Sequence, residues 1–316
     1  MADHRGLSGH RGLGGIPLVF GGNIFGWTVD RDRSFELLDA FYAAGGRMID
    51  TADGYSAWVP GNKGGESETI IGQWLERRGV RSDMRIASKT GMGGPPGGLA
   101  PDKVAAACQA SLERLRTDYL DLYYAHRDDP ETPHDEVAQG FDALVRAGKA
   151  RELGASNFTA ERLASALDAA ARIGATPYTV LQNEFNLVTR SEYEGAVQQL
   201  VVKRGMASLP FYGLAAGFLS GKFRSAGQWA GSPRAHALNA AADRGGFEVL
   251  KVMDTIAAAT GATLPQIALA WLLAQPGVAA PLASATSTVQ LAELVGAVSL
   301  RLSPAQLARL GAAGQA

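Results

Sequence analysis

The sequence predicts an α/β protein folded as a single (β/α)8 TIM barrel. Short apolar runs alternate with longer amphipathic ones along the 316 residues, which implies a parallel sheet covered by helices. The short runs number eight, the count at which such a sheet closes into a barrel. The segment after the first run, GGNIFGWTVD (21–30), argues against the main competitor. A doubly wound sheet calls for G-x-G-x-x-G opening directly into a helix, and this segment has neither the motif nor the helix.

The strands are read at LVFGG (18–22), RMID (47–50), MRIASK (84–89), YLDLYYAH (119–126), RELGAS (151–156), TVLQNE (179–184), MASLPF (206–211) and VAAPLA (278–283). Each is short and is set between longer amphipathic runs. Between them helices are read at 32–44, 66–78, 102–116, 134–147, 160–172 and 192–204, with two more inside 243–274 and a last one at 288–296. Thr132-Pro133, Pro101-Asp102 and Ser303-Pro304 are helix-start signals, because proline tolerates the first turn and an acid favours it. Three glycine-rich loops, 54–67, 91–98 and 213–234, are long enough to bind something or to move.

No composition break divides the chain, so residues 1–316 read as one domain. Residues 1–15 are expected to be a flexible N-terminal tail, or part of an extra turn below the barrel. The net charge of −1 gives no support for a nucleic-acid partner. No apolar run reaches membrane-span length, and the N-terminus lacks the apolar segment of a secretory signal; the expected location is cytoplasmic. The single cysteine, Cys108, is read as a buried thiol and excludes an internal disulfide.

Polar residues fall at the carboxyl ends of successive strands: Asp50 on the second, Lys89 on the third, His126 on the fourth, Ser156 and Asn157 on the fifth, Gln182 and Asn183 on the sixth. In a barrel these ends share one rim, where active sites are built. Each residue alone has a plain structural reading. Asp50 could cap the next helix, Lys89 could reach solvent, His126 could be a surface histidine, and Tyr55 could be loop packing. Their joint placement on one rim is what points to a pocket.

DTADGY (50–55), ASKTG around Lys89, YYAHRDDP (123–130), GASNF (154–158), LQNEFNL (181–187), LPFYGLAAGFLSGKF (209–223) and PLASATSTVQL (281–291) resemble, in order, the signature segments of the aldo-keto reductases. The resemblance covers about residues 15–300. It implies reversible, nicotinamide-dependent reduction of an aldehyde or ketone, with Asp50, Tyr55, Lys89 and His126 as the catalytic tetrad. Tyr55 would be the general acid. Lys89 would lower its pKa toward working pH, Asp50 would hold Lys89, and His126 would orient the carbonyl.

The resemblance also implies a cofactor set. Gly22 and Asn23 lie in the loop after the first strand. Ser156, Asn157 and Gln182 match the residues that bond the nicotinamide carboxamide, and Phe211 matches the aromatic stacked on the ring, more often a tyrosine. Tyr212, Leu214 and Gly217, with Lys222, match the pyrophosphate belt. Ser284, Thr286 and Gln290 match the segment that holds the 2′-phosphate of NADP(H). Two positions depart from the pattern. Thr286 stands where many NADP(H)-specific members carry Arg or Lys, which keeps NAD(H) open, and Leu294 stands where an Asn or Glu often contacts adenine.

Phe25, Trp27 and Trp58, with Ile24 and Trp229, are candidates to line a pocket for an aromatic or sugar-like carbonyl substrate; they read equally as loop anchors. Two other functions compete. One is a cofactor-sensing regulatory subunit, which a short tail and an intact tetrad disfavour. The other is a Schiff-base aldolase using Lys89, which leaves GASNF and 281–291 unexplained. With five histidines, two of them in the N-terminal tail, no metal site is expected.

Overall fold

Alternation with period two divides each strand between two cores. In the computed structural model, which describes residues 10–92 and 98–313, one set of strand side chains fills the ring. Val19, Met48, Ala87, Leu122, Tyr124, Val180, Ala207, Leu209 and Leu282 pack there together. The other set, including Phe20, Ile49, Ile86, Tyr123, Leu153 and Leu181, packs outward against the helices. The inward sequence ends on Asp50, Lys89 and Gln182 because each stands two residues beyond an inward apolar neighbour.

The strands are β1 (Val19–Gly21), β2 (Met48–Asp50), β3 (Arg85–Thr90), β4 (Leu120–Ala125), β5 (Ala150–Ser156), β6 (Val180–Gln182), β7 (Ala207–Ser208) and β8 (Leu282–Ala283). All neighbours are parallel, in the order β7-β6-β5-β4-β3-β2-β1-β8. The ring closes between β7 and the run leading to β8: Ser208 N donates to Gly277 O at 2.7 Å and Ala279 N to Ser208 O at 2.9 Å. The expected (β/α)8 fold is therefore observed. β7 and β8 are shorter than read because Pro210 and Pro281 have no N–H to give a ladder.

The helices are α1 (Arg31–Ala43), α2 (Glu66–Arg78), α3 (Pro101–Leu115), α4 (His134–Arg146), α5 (Ala160–Ile173), α6 (Ala196–Lys203), α7 (Ala235–Asp243), α8 (Gly246–Thr260), α9 (Leu264–Leu273), α10 (Thr288–Gly296) and α11 (Pro304–Ala313). α6 begins four residues later than expected, after Gly195 with φ 82°, a backbone angle no helix accepts. α7 was not expected; its alanine-rich sequence has little apolar period to read. α11 also lies beyond the last helix read, although Ser303 and Gln306 cap each other reciprocally at its start, as the Ser303-Pro304 signal allows.

Residues 1–9 and 93–97 lie outside the described residues, which covers most of the expected tail and the middle of the 91–98 loop. The rest of the tail is ordered structure: His10–Leu13 form a 3-10 turn, and Leu13 is fully buried in the ring core. The apolar side chain closes one end of the ring, the role of the alternative reading as an extra turn. Among the described residues no single helix is long and apolar enough to cross a membrane. Cys108 is buried, and burial pushes its thiol up to about 12.

Candidate active site

Parallel register lines up the polar strand ends. Gly21 of β1 pairs with Asp50, and Asp50 with Ala87 of β3. Lys89 lies beside Tyr124, and Ser156 beside Gln182. Beneath them Tyr124 is wholly buried, with its ring 5.8 Å from Lys89 Nζ. Gly154 makes that floor possible. A Cβ there would sit 2.4 Å from the Tyr124 ring, so only glycine leaves room.

Asp50 and Lys89 are both completely buried and form an ion pair. Lys89 Nζ also donates to Thr51 O at 2.8 Å and to Tyr55 Oη at 2.9 Å. Asp50 Oδ2 accepts from Gln182 Nε2 at 2.8 Å. Four elements thus lock one ammonium beneath one phenol. The tetrad's fourth member, His126, places its ring 5.9 Å from that of Tyr55, nearly edge-on. Its Nδ1 is buried without a partner among the described residues. Asn157, held at φ 58°, donates from Nδ2 to His126 O at 2.9 Å, and Ser156 Oγ donates to Gln182 O at 2.7 Å.

Electrostatics correct one expectation. Burial pushes the Tyr55 pKa above the ordinary tyrosine range, and the opposing pull of Lys89 does not cancel it. The expected lowering is therefore not what the fold produces in the resting state, because removing a phenolate from water costs more than one ammonium restores. Burial works against charge on Lys89 as well, but Asp50 and Tyr55 outweigh it and its pKa rises. His126 is held well below its ordinary value by burial, then by Lys89 and Arg127. The site at neutral pH is a protonated phenol, an ammonium and a neutral imidazole.

Around Tyr55 stands an aromatic wall. Trp58 meets Tyr55 at 6.2 Å and Trp27 at 5.6 Å, both edge-on, and Trp58 keeps 52% of its surface exposed. Phe25, expected in this wall, lies behind it: it is fully buried 5.8 Å from Phe20. Ile24 is likewise buried. Trp229 is buried too, anchored by Asn239 at 2.7 Å and packed on Phe218, Phe223 and Phe247. Glycine-rich loops have no period, so their sequence did not separate the aromatics that anchor from those that face the rim.

The rim backbone is strained. Of six non-glycine residues with positive φ among the described residues, Ser56, Asn157, Tyr212, Ala215 and Ala216 lie in loops after β2, β5 and β7; such angles persist where surroundings enforce them, commonly at ligand sites. Ala215, Ala216 and Gly217 follow one another in this conformation, at φ 47°, 56° and 96°, in a tight turn where Ala215 N donates to Tyr212 O at 2.7 Å and Gly217 N to Leu214 O at 2.9 Å. A Cβ on Gly217 would lie 3.8 Å from Lys222 Nζ and 4.0 Å from Arg234 Nη1. Neither cation has a carboxylate partner among the described residues; Lys222 lies over Phe223 and Arg234 over Trp27. The two cations beside this turn fit a pyrophosphate. Arg234 was missed in the sequence, where nothing marks one arginine in a long loop.

The remaining cofactor candidates sit on one side of the rim. Gly22 is buried under Ser67 and Asp50. Ser284 Oγ meets Asn23 Oδ1 and Gly21 O, each at 2.8 Å. Thr286 N and Oγ1 both donate to Gln290 Oε1, at 2.9 and 3.0 Å, while Ser287 caps α10. Phe211 packs edge-on to Tyr212 at 5.2 Å and lies partly over the ring core. Leu214 is partly buried against the outer core. Leu294 is buried in the helix layer, so it supports α10 from beneath and faces no ligand.

These features converge with a comparison against known families. The model of the aldo/keto reductase family matches residues 17–315, nearly the whole chain. Members generally use NAD(P)H and are oxidoreductases. A closed parallel barrel, a rim carrying Asp50, Tyr55, Lys89 and His126, and a match from β1 to α11 all agree: the chain belongs to the aldo/keto reductase family.

Proposed function

We propose that this oxidoreductase is an NADP(H)-dependent reductase of aromatic aldehydes and ketones, acting reversibly on a small-molecule carbonyl in the cytoplasm. The observation that carries the reading is the buried ammonium of Lys89, bonded at once to Asp50 and to the hydroxyl of Tyr55. The cations of Lys222 and Arg234 beside Gly217 support the cofactor side. Ser156, Asn157, Gln182 and Phe211 would hold a reduced nicotinamide, whose chemistry would be hydride donation to the carbonyl carbon.

The residues supply the rest. Tyr55 holds its proton in the resting state, because burial disfavours the phenolate. When charge grows on the carbonyl oxygen, that proton moves to it from Tyr55 Oη. The phenolate left behind lies 2.9 Å from the Lys89 ammonium, an arrangement that favours the charged product and costs no reorganisation. Asp50 keeps Lys89 charged and aimed. His126 is neutral; with Nδ1 buried, Nε2 is the nitrogen left to bond the carbonyl oxygen. Ser156, Asn157 and Gln182 would hold the carboxamide and Phe211 would back the ring. Trp27 and Trp58 favour a flat apolar substrate, which stacks where an aliphatic chain leaves gaps.

The test is to incubate the protein with NADPH and benzaldehyde and assay benzyl alcohol by chromatography. The alcohol should form, and faster than the product of an aliphatic aldehyde of similar size. No alcohol from a panel of aldehydes and ketones would leave a binding protein and overturn the reductase reading.

A further inference from the structure

We infer that Arg33 of α1 is the cationic partner of the cofactor's 2′-phosphate, and so the residue that sets preference for NADP(H) over NAD(H). The inference rests on the NADP(H) reading above. A phosphate monoester carries close to two negative charges at neutral pH and is held by charge-assisted bonds. The segment assigned to it, Ser284 to Gln290, holds no cation, and residues 279–300 contain neither Lys nor Arg.

The fold brings one from elsewhere. α1 packs against α10, and Arg33 Nε donates to Thr286 O at 3.4 Å across 253 positions of sequence. The guanidinium therefore stands beside Thr286, where the chain itself has only a hydroxyl. Its backbone is fixed, since Arg33 N donates to Asp30 Oδ1 at 2.9 Å as α1 begins.

The donor inventory leaves room for a ligand. A guanidinium has five N–H groups. In Arg33, Nε is used on Thr286 O and Nη1 on Glu36, and Nη2 makes no bond among the described residues. Gln290 spends its Oε1 on Thr286 and keeps its amide N–H groups. Arg31, the nearest other cation on α1, is engaged by Asp32. Glu36 is the opposing charge: it holds Arg33 in the free protein and repels a phosphate brought to the same place.

The test is equilibrium titration with NADPH and separately NADH, read by quenching of tryptophan fluorescence, for the wild type, Arg33→Gln and Glu36→Gln. Arg33→Gln should weaken NADPH binding about tenfold, in line with loss of a partly exposed charge-assisted pair, and leave NADH binding unchanged. Glu36→Gln should tighten NADPH severalfold without affecting NADH. Competition with 2′,5′-ADP should lose strength in Arg33→Gln, whereas 5′-AMP should not. If the wild type prefers NADPH and Arg33→Gln keeps that preference, the assignment of Arg33 is overturned. If the wild type itself shows no preference for NADPH, the NADP(H) reading falls and the inference with it.

Discussion

Replacing Asp50 by Asn exchanges one carboxylate oxygen for an NH2 group and leaves the volume unchanged. Two donors converge on that carboxylate, Lys89 Nζ on Oδ1 and Gln182 Nε2 on Oδ2, and both charged side chains are fully buried. An amide has one acceptor for the two donors, so Lys89 or Gln182 must face an N–H. The larger effect is electrostatic. Removing one partner of a buried ion pair costs about 3–5 kcal/mol. The lower end applies here, because Thr51 O and Tyr55 Oη still accept from Lys89 at 2.8 and 2.9 Å.

The pH dependence gives the loss a signature. Without Asp50, burial dominates and the folded-state pKa of Lys89 drops below its unfolded value of about 10.4. Between the two values the unfolded chain binds more protons, so stability of the variant rises with pH. Urea denaturation followed by tryptophan fluorescence, on both proteins from pH 6 to 9, should show the deficit largest at pH 6 and narrowing upward. A deficit below about 1 kcal/mol, or one independent of pH, would refute the argument that Asp50 charges and holds Lys89.

Other outcomes follow from single contacts. Asp53 is buried, and burial outweighs the weak pull of Thr90 and Gly54 to raise its pKa from 3.8 to about 6. Its folded pKa exceeds the unfolded one, so stability falls as pH rises from about 4 to 6 and the full cost is present at pH 7. Asp53→Asn should therefore stabilise by up to about 3 kcal/mol at pH 7 and by little at pH 4, measured by chemical denaturation at each pH. Gly154→Ala drives a methyl to 2.4 Å from the Tyr124 ring, and overpacking of this kind costs about 1–3 kcal/mol; a lowered Tm should be accompanied by lower turnover, since Tyr124 underlies Lys89. Because burial holds the Tyr55 proton above the ordinary range, the rate of reduction should stay level through neutral pH and fall only on the alkaline side; a rate already falling between pH 6 and 8 would contradict it.

The barrel and its rim were legible because they repeat. Each strand is a local run, and Asp50, Lys89, His126 and Gln182 each stand at or beside the end of one, so spacing alone assigns them to one face. Three things were not legible, each for a physical reason. The direction of the Tyr55 pKa depends on desolvation, which no short motif encodes. Phe25 and Trp229 proved to be anchors rather than pocket walls, since burial within a glycine-rich loop leaves no period to read. Arg33 meets Thr286 only because α1 and α10 are neighbours around the closed ring, and Arg234 reaches Gly217 only because a long loop folds back. Contacts made by closure are invisible until the ring is drawn.

The central claim is that Tyr55 gives the proton while Lys89 stabilises what remains. The most direct measurement compares wild type and Tyr55→Phe by NADPH consumption at 340 nm with benzaldehyde, alongside the NADPH dissociation constant of each from fluorescence. Tyr55→Phe should retain cofactor affinity and lose turnover by about 10²-fold or more, the scale of a general acid. Turnover within a fewfold of wild type, with affinity intact, would assign the proton to another group and contradict the account.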